Sequence, residues 1–338
     1  MKRFTCLLAP LLSAFVSNPG QAQDTQIISV SAPGPRSLSY LPIDLISKIG
    51  ADKDEGLTLR IMHTGGGAVA LTNMASGNVD FAVAGAPAAL SLRAGGGDVV
   101  MIAPVDDAPL FVLMVRAQLA DKVTRIADLK GKVVGVNTST RATKTTSQQL
   151  AELLLTSGGV PLDTVRVVPA GQSWDEQSSL MITGTADAVM GDEPFASRLL
   201  AAHHVVFLAN LAEPDTVKDI PGTGFLHAAL ATRRDVINSD PEIVSKMVRM
   251  LTKTLGWIAS HTPEQVVAAL EVNDTEERDA LLLSLRKYPR AYSHDGKFST
   301  RQLRETDIFF GASSKNYPRA RDLGVESIVD DRWAGRKP

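Results

Sequence analysis

Short β-branched apolar runs alternate along this chain with segments whose apolar residues recur at helical spacing. Ile27 to Val30 is the first run, followed by the proline-rich loop SAPGPRSLSYLP and a helical stretch from Ile43 to Ile49. Leu57 to Met62 reads as the next strand. The stretch His63 to Pro87, HTGGGAVALTNMASGNVDFAVAGAP, then gives a glycine turn, a short helix with Ala68, Leu71 and Ala75 on one face, a stop at Gly77 and a buried strand from Val79 to Val83. Ser91 to Gly97 closes a helix, and Val99 to Ala103 forms a further strand. Strands alternating with helices over short turns predict an α/β fold with a parallel sheet covered on both faces.

The pattern restarts after Phe111 to Val115. RIADLKGKVVGV gives a tight turn and a strand ending at Val136, and NTSTRATKTTSQQLAELLL a hydroxyl-rich loop running into a helix. Thr164 to Val168 is a strand, AGQSWDEQSSLMI a loop and helix, and TGTADAVMGDEPF a stop, strand and turn. Gly77, Asp80 and Pro87 thus recur as Gly184, Asp187 and Pro194, each 107 residues on (80 to 187). Two α/β lobes of like plan follow, with ligand loops at the carboxyl ends of their strands. Past Gly222 an extended run and then a helix opened by Asp240 and Pro241 carry Ile243, Met247, Val248, Leu251, Leu255 and Ile258 on one face. Further helical segments reach Phe310. This helical remainder needs a sheet to cover, which predicts a discontinuous first lobe (27–112 and 226–338), a second lobe (113–225), and two hinge crossings near 108–116 and 222–230.

Composition narrows the class. Apolar and charged fractions of 44% and 21% are ordinary for a globular protein, and a net charge of −2 with no basic run excludes phosphate-backbone binding as the main role, so no nucleic-acid partner is expected. Lys2, Arg3, the apolar run Leu7 to Val16 and Gly20-Gln21-Ala22 form the three parts of a signal peptide over 1–22, cleaved near Ala22. The expectation is export to the periplasm as a monomer. Cys6, the only cysteine, lies inside that segment, so the mature chain has no disulfide or cysteine nucleophile. His203-His204 lacks the spacing of two metal ligands on one helix face, and no Gly-x-Ser-x-Gly elbow or phosphate loop is present; no metal and no cofactor are expected.

Candidate binding chemistry has two signs. The turn Gly65, Gly66, Gly67 opening a helix favours an anion, or is a structural turn needing positive φ. Ser139, Thr140 and Arg141 follow a strand end and suit the same anion, with Arg141 either a two-pronged donor or a solvated loop residue. Asp192 and Glu193 suit an amine or amidine, or serve as helix N-terminal acids before Pro194. Tyr40, Trp174 and Phe195 fall on loops facing the cleft and suit either stacking on a planar ligand or packing on the lobe.

GGGAVALTNMASGNVDFAV, IADLKGKVVGVNTST and GTADAVMGDEP, in that order and spacing, resemble the solute-binding proteins of ABC importers. The likeness is to the type II periplasmic-binding fold in the nitrate, sulfonate and taurine group and the neighbouring binders of thiamine-pyrimidine precursors. The resemblance implies two lobes closing on a small organic solute and delivery to an inner-membrane ABC permease, without catalysis. It implies ligand contacts from the loop Ser31 to Tyr40 (Ser31, Arg36 and Tyr40 above all), from Gly65 to Ala68, from Gly85 to Pro87 (Gly85 and Ala86 above all), from Ser139 to Thr143 (Ser139, Thr140 and Arg141 above all), and from Trp174 and Glu193. A sulfonate- or carboxylate-like anion is the favoured ligand. The alternatives are an aminopyrimidine-type heterocycle, or an enzyme of the same fold acting on a small cofactor precursor.

Overall fold

The computed structural model describes residues 25–315, 318–320 and 322–338, so the signal-peptide reading and Cys6 lie outside the described residues. Ten strands form two five-stranded sheets. The first contains β1 (Gln26–Ala32), β2 (Leu57–His63), β3 (Phe81–Gly85), β4 (Val100–Pro104) and β10 (Ala228–Thr232). The second contains β5 (Phe111–Arg116), β6 (Val133–Val136), β7 (Arg166–Pro169), β8 (Ala188–Asp192) and β9 (Val205–Asn210). Their orders are β2-β1-β3-β10-β4 and β7-β6-β8-β5-β9. The two orders superimpose position for position, so the repeat read from the sequence is a repeat of topology.

The sheets are mixed, where the sequence predicted parallel ones. In each, the fourth strand runs antiparallel to both neighbours: β10 between β3 and β4, and β5 between β8 and β9. Both are the strands by which the chain enters one lobe from the other. They arrive without a helix-bearing crossover, so the rule that makes neighbouring strands parallel does not bind them. The crossings occupy 105–110 and 211–227, earlier than expected, because Phe111–Val115 is already paired in the second sheet and Ala228–Thr232 in the first.

The recurring residues do the same work in both lobes. Gly77 and Gly184 end their helices at φ 77° and 75°, where a side chain would be strained. Asp80 Oδ2 then accepts the Ser29 backbone N–H at 2.8 Å, and Asp187 Oδ2 accepts that of Val133 at 2.9 Å. Each carboxylate thus fixes the start of one central strand to the next and sets the registers Val30 to Phe81 and Val134 to Ala188.

Both faces of each sheet are covered by apolar clusters. The helix Pro241–Ser260 begins at Asp240, whose side chain accepts from Ile243 N–H, and buries Ile243, Met247, Val248, Leu251 and Leu255 against β1, β3 and β10. Truncating one such side chain costs about 2–5 kcal/mol. The helix Thr300–Ser313 differs from the expectation that everything after 226 covers the first lobe. Its Leu303 and Phe310 belong to the first lobe's core, while Phe309 packs on Phe225 in the second lobe's core. Successive helical residues point about 100° apart, so one helix serves both cores and spans the hinge.

Candidate functional site

The carboxyl ends of β1, β3, β6 and β8 face one another across the crossings, and the two lobes are in contact there. Gly34 lies against the backbone oxygen of Gln172, Gly66 against the backbone of Thr138, and Gly85 against Thr146 Oγ1 and His227; an added Cβ at any of the three would overlap these atoms. Thr138 N–H donates to Gly65 O at 3.2 Å, and Leu38 N–H to Glu193 O at 2.8 Å. The lobes therefore meet at glycine positions of the first lobe, Gly34 and Gly66 against backbone of the second and Gly85 against the Thr146 hydroxyl.

The contact encloses a polar cluster. Asp192, at the end of β8, is fully buried. Its Oδ2 accepts from Ser37 Oγ of the other lobe and from Gln172 Nε2 at 2.9 Å, and its Oδ1 from Gln177 Nε2 at 3.3 Å. Asp106, in the first crossing, accepts from Ala228 N–H at 2.8 Å and lies 3.0 Å from His227 Nδ1 in the second crossing. With Nδ1 donating to Asp106, His227 Nε2 is left to accept from the Tyr40 hydroxyl, 3.1 Å away. Burial raises the pKa of Asp106, Asp192 and Tyr40, because the charged forms lose water that neutral donors replace only in part.

Several buried side-chain atoms in this region have no protein partner: Ser31 Oγ, Ser39 Oγ, Asn137 Oδ1, Thr146 Oγ1, Gln172 Oε1 and Gln177 Oε1. Buried polar atoms are ordinarily bonded, so these six, on the strand ends and the loops and helices beside them, stand out.

The expected residues divide. Ser31, Tyr40, Gly66, Gly67, Ala68, Gly85 and Ala86 are buried at these strand ends, with Gly65 beside them. Glu193 is equally buried but turned to its own helix, accepting from Ser197 N–H at 3.0 Å and Oγ at 2.8 Å, and from Tyr288 OH at 3.1 Å; burial raises its pKa. Ser139 and Thr140 brace their own loop, through Gln148 Oε1 at 2.6 Å and Thr143 N–H at 3.0 Å. Arg36 is ion-paired with Glu277, Arg141 is exposed, and Trp174 carries the Arg198 guanidinium 3.8 Å over its ring. Asp106, Asn137, Thr146, Gln172, Gln177 and His227 join the cluster without having been singled out from the sequence, and Ser37 joins it from within the expected loop Ser31 to Tyr40.

The NMT1/THI5 like family model matches residues 53–265. The chain belongs to this NMT1/THI5-like family. No curated protein sequence matches it. Among solved structures, one from Bordetella bronchiseptica RB50 is 19% identical over 91% of this chain and 95% of its own, with a TM-score of 0.81. The alkanesulfonate-binding protein SsuA from Xanthomonas axonopodis pv. citri, bound to MOPS, is 15% identical over 94% of this chain and 100% of its own, at 0.71. The periplasmic nitrate-binding protein NrtA from Synechocystis PCC 6803 is 11% identical over 90% and 86%, at 0.68. This NMT1/THI5-like chain therefore has the two-lobed periplasmic-binding-protein fold.

Proposed function

We propose that this chain is the solute-binding component of an ABC importer, working in the periplasm as a monomer, closing by its two crossings on one small organic solute and passing it to an inner-membrane permease. The observation that carries the reading is the set of six unpartnered polar atoms buried where the two lobes meet. The fold, and neighbours that bind alkanesulfonate and nitrate, support it.

An organic anion is the favoured ligand. With Arg36 held by Glu277 and Arg141 exposed, the anion is gripped by neutral donors: the N-terminal N–H groups of the helix Gly67–Ala75 and the hydroxyls of Ser31, Ser39 and Thr146. The test is a melting-temperature screen of alkanesulfonates, carboxylates and aminopyrimidines. A ligand at a hundred times its Kd adds about 2.7 kcal/mol to stability. A clear rise with at least one member supports the reading, and a flat response to all of them contradicts it.

A further inference from the structure

A pocket of about 230 Å³ lies outside the cleft, among the helices Pro241–Ser260, Pro263–Ala269 and Thr275–Lys287 of the first lobe. Its floor is made by the buried side chains of Leu255, Val266, Leu285 and Tyr292, and Ala259 and His294 stand exposed at its rim. Protein interiors pack with few voids larger than a water molecule, so this space is well beyond an ordinary packing defect.

Its walls are held back from filling it. The Tyr288 hydroxyl donates to Glu193 Oε1 at 3.1 Å and the Tyr292 hydroxyl to Leu38 O at 2.8 Å, so neither ring is free to swing inward. His261, a third wall, is stacked on Trp257 with ring centroids 3.9 Å apart, and its Nδ1 lies 2.7 Å from Trp257 O. A carbonyl only accepts, so Nδ1 carries the proton and, in the neutral ring, Nε2 is left as an acceptor. The pocket is thus pre-formed, as ligand sites usually are. Among the described residues, no lysine, arginine, aspartate or glutamate lines it. A charged occupant would lose water there without gaining a counter-charge, which selects an uncharged one. An apolar cavity of about 150 Å³ already holds benzene, so the space here takes one ring with a small substituent.

We propose that this pocket is a second ligand site, taking an uncharged single-ring molecule of the phenol type. The ring rests on Leu255, Val266 and Leu285, and the hydroxyl donates to His261 Nε2. The inference goes beyond the solute-binding reading and does not depend on it, because every residue lining the pocket belongs to one lobe.

The test is calorimetry on the mature chain with 4-methylphenol as probe and toluene and 4-methylbenzoate as controls. 4-Methylphenol should bind one-to-one and about two- to tenfold more tightly than toluene, the worth of one hydrogen bond. The charged 4-methylbenzoate should bind more weakly than either. Ala259→Trp, at an exposed helix position, covers the rim and should abolish binding of 4-methylphenol while keeping the wild-type urea midpoint. His261→Phe keeps a ring on Trp257 without the acceptor, and should bring 4-methylphenol down to the affinity of toluene. No binding of 4-methylphenol, binding that survives Ala259→Trp, or a preference over toluene that survives His261→Phe each overturns the proposal and leaves the solute-binding reading standing. If Ala259→Trp lowers the urea midpoint, His261→Phe decides alone.

Discussion

His227 Nδ1 lies 3.0 Å from Asp106 Oδ2, and the two residues stand in different crossings between the lobes. Asp106 Oδ1 also takes the N–H of Ala228, the first residue of β10, at 2.8 Å, so this one carboxylate ties both hinge segments together. Removing one partner of a buried pair leaves the other without compensation, at about 3–5 kcal/mol. Asp106→Ala should lower unfolding stability by that order in a urea titration, with Asp106→Asn costing less because it can still accept from Ala228. A loss below about 1 kcal/mol for the alanine variant would show that the pair does not hold the hinge.

Burial raises the carboxyl pKa of Asp192, whereas in the unfolded chain this group titrates at about 4. Between those two values the folded state holds more protons than the unfolded one. The group's effect on stability therefore becomes less favourable as pH rises through that window. Melting temperature measured from pH 4 upward should fall in the wild type relative to Asp192→Asn, in which the titration is absent. Comparing the two proteins cancels the exposed carboxylates with lowered values, Glu264 among them. Parallel curves would mean that Asp192 does not titrate in this window.

The three atoms nearest an added Cβ at Gly34 all belong to Gln172 of the second lobe, its backbone oxygen first among them. Gly34→Ala should keep its melting temperature without ligand within about 2 °C of wild type, since a change of about 0.5 kcal/mol or less is expected away from a core. The same variant should lose ligand binding and stay open in small-angle scattering when ligand is added. Wild-type affinity in this variant would contradict closure at that contact.

Arg141 is exposed, whereas Thr146 Oγ1 is buried beside Gly85 without a partner. Arg141→Ala should therefore leave affinity nearly unchanged. Thr146→Val should weaken binding about two- to tenfold, the worth of one hydrogen bond, while leaving unliganded stability equal or higher. The reverse order, measured by calorimetry, would return the anion contact to the arginine.

The repeat was legible because it is carried by residues with positional meaning, a glycine that stops a helix and an aspartate that ties the start of a strand. The antiparallel strands were not, since a five- or six-residue apolar run carries no direction. The site was partly legible. Glycine turns and strand ends located where the two lobes meet, but Arg36 finds Glu277 across 241 residues and His227 finds Asp106 across 121, and no local spacing announces either. Asp192 and Glu193 were equivalent in sequence. The geometry separates them, because neighbouring strand-end residues face opposite ways: Asp192 takes Ser37, Gln172 and Gln177, and Glu193 takes Ser197 and Tyr288.

The central claim is that two lobes close on a solute without changing it. Native mass spectrometry of the mature protein, with the ligand taken from the melting screen, tests this directly. The account predicts a one-to-one complex that releases, after prolonged incubation, a molecule of unchanged mass. A released molecule of altered mass would contradict it and mark the chain as an enzyme built on this fold.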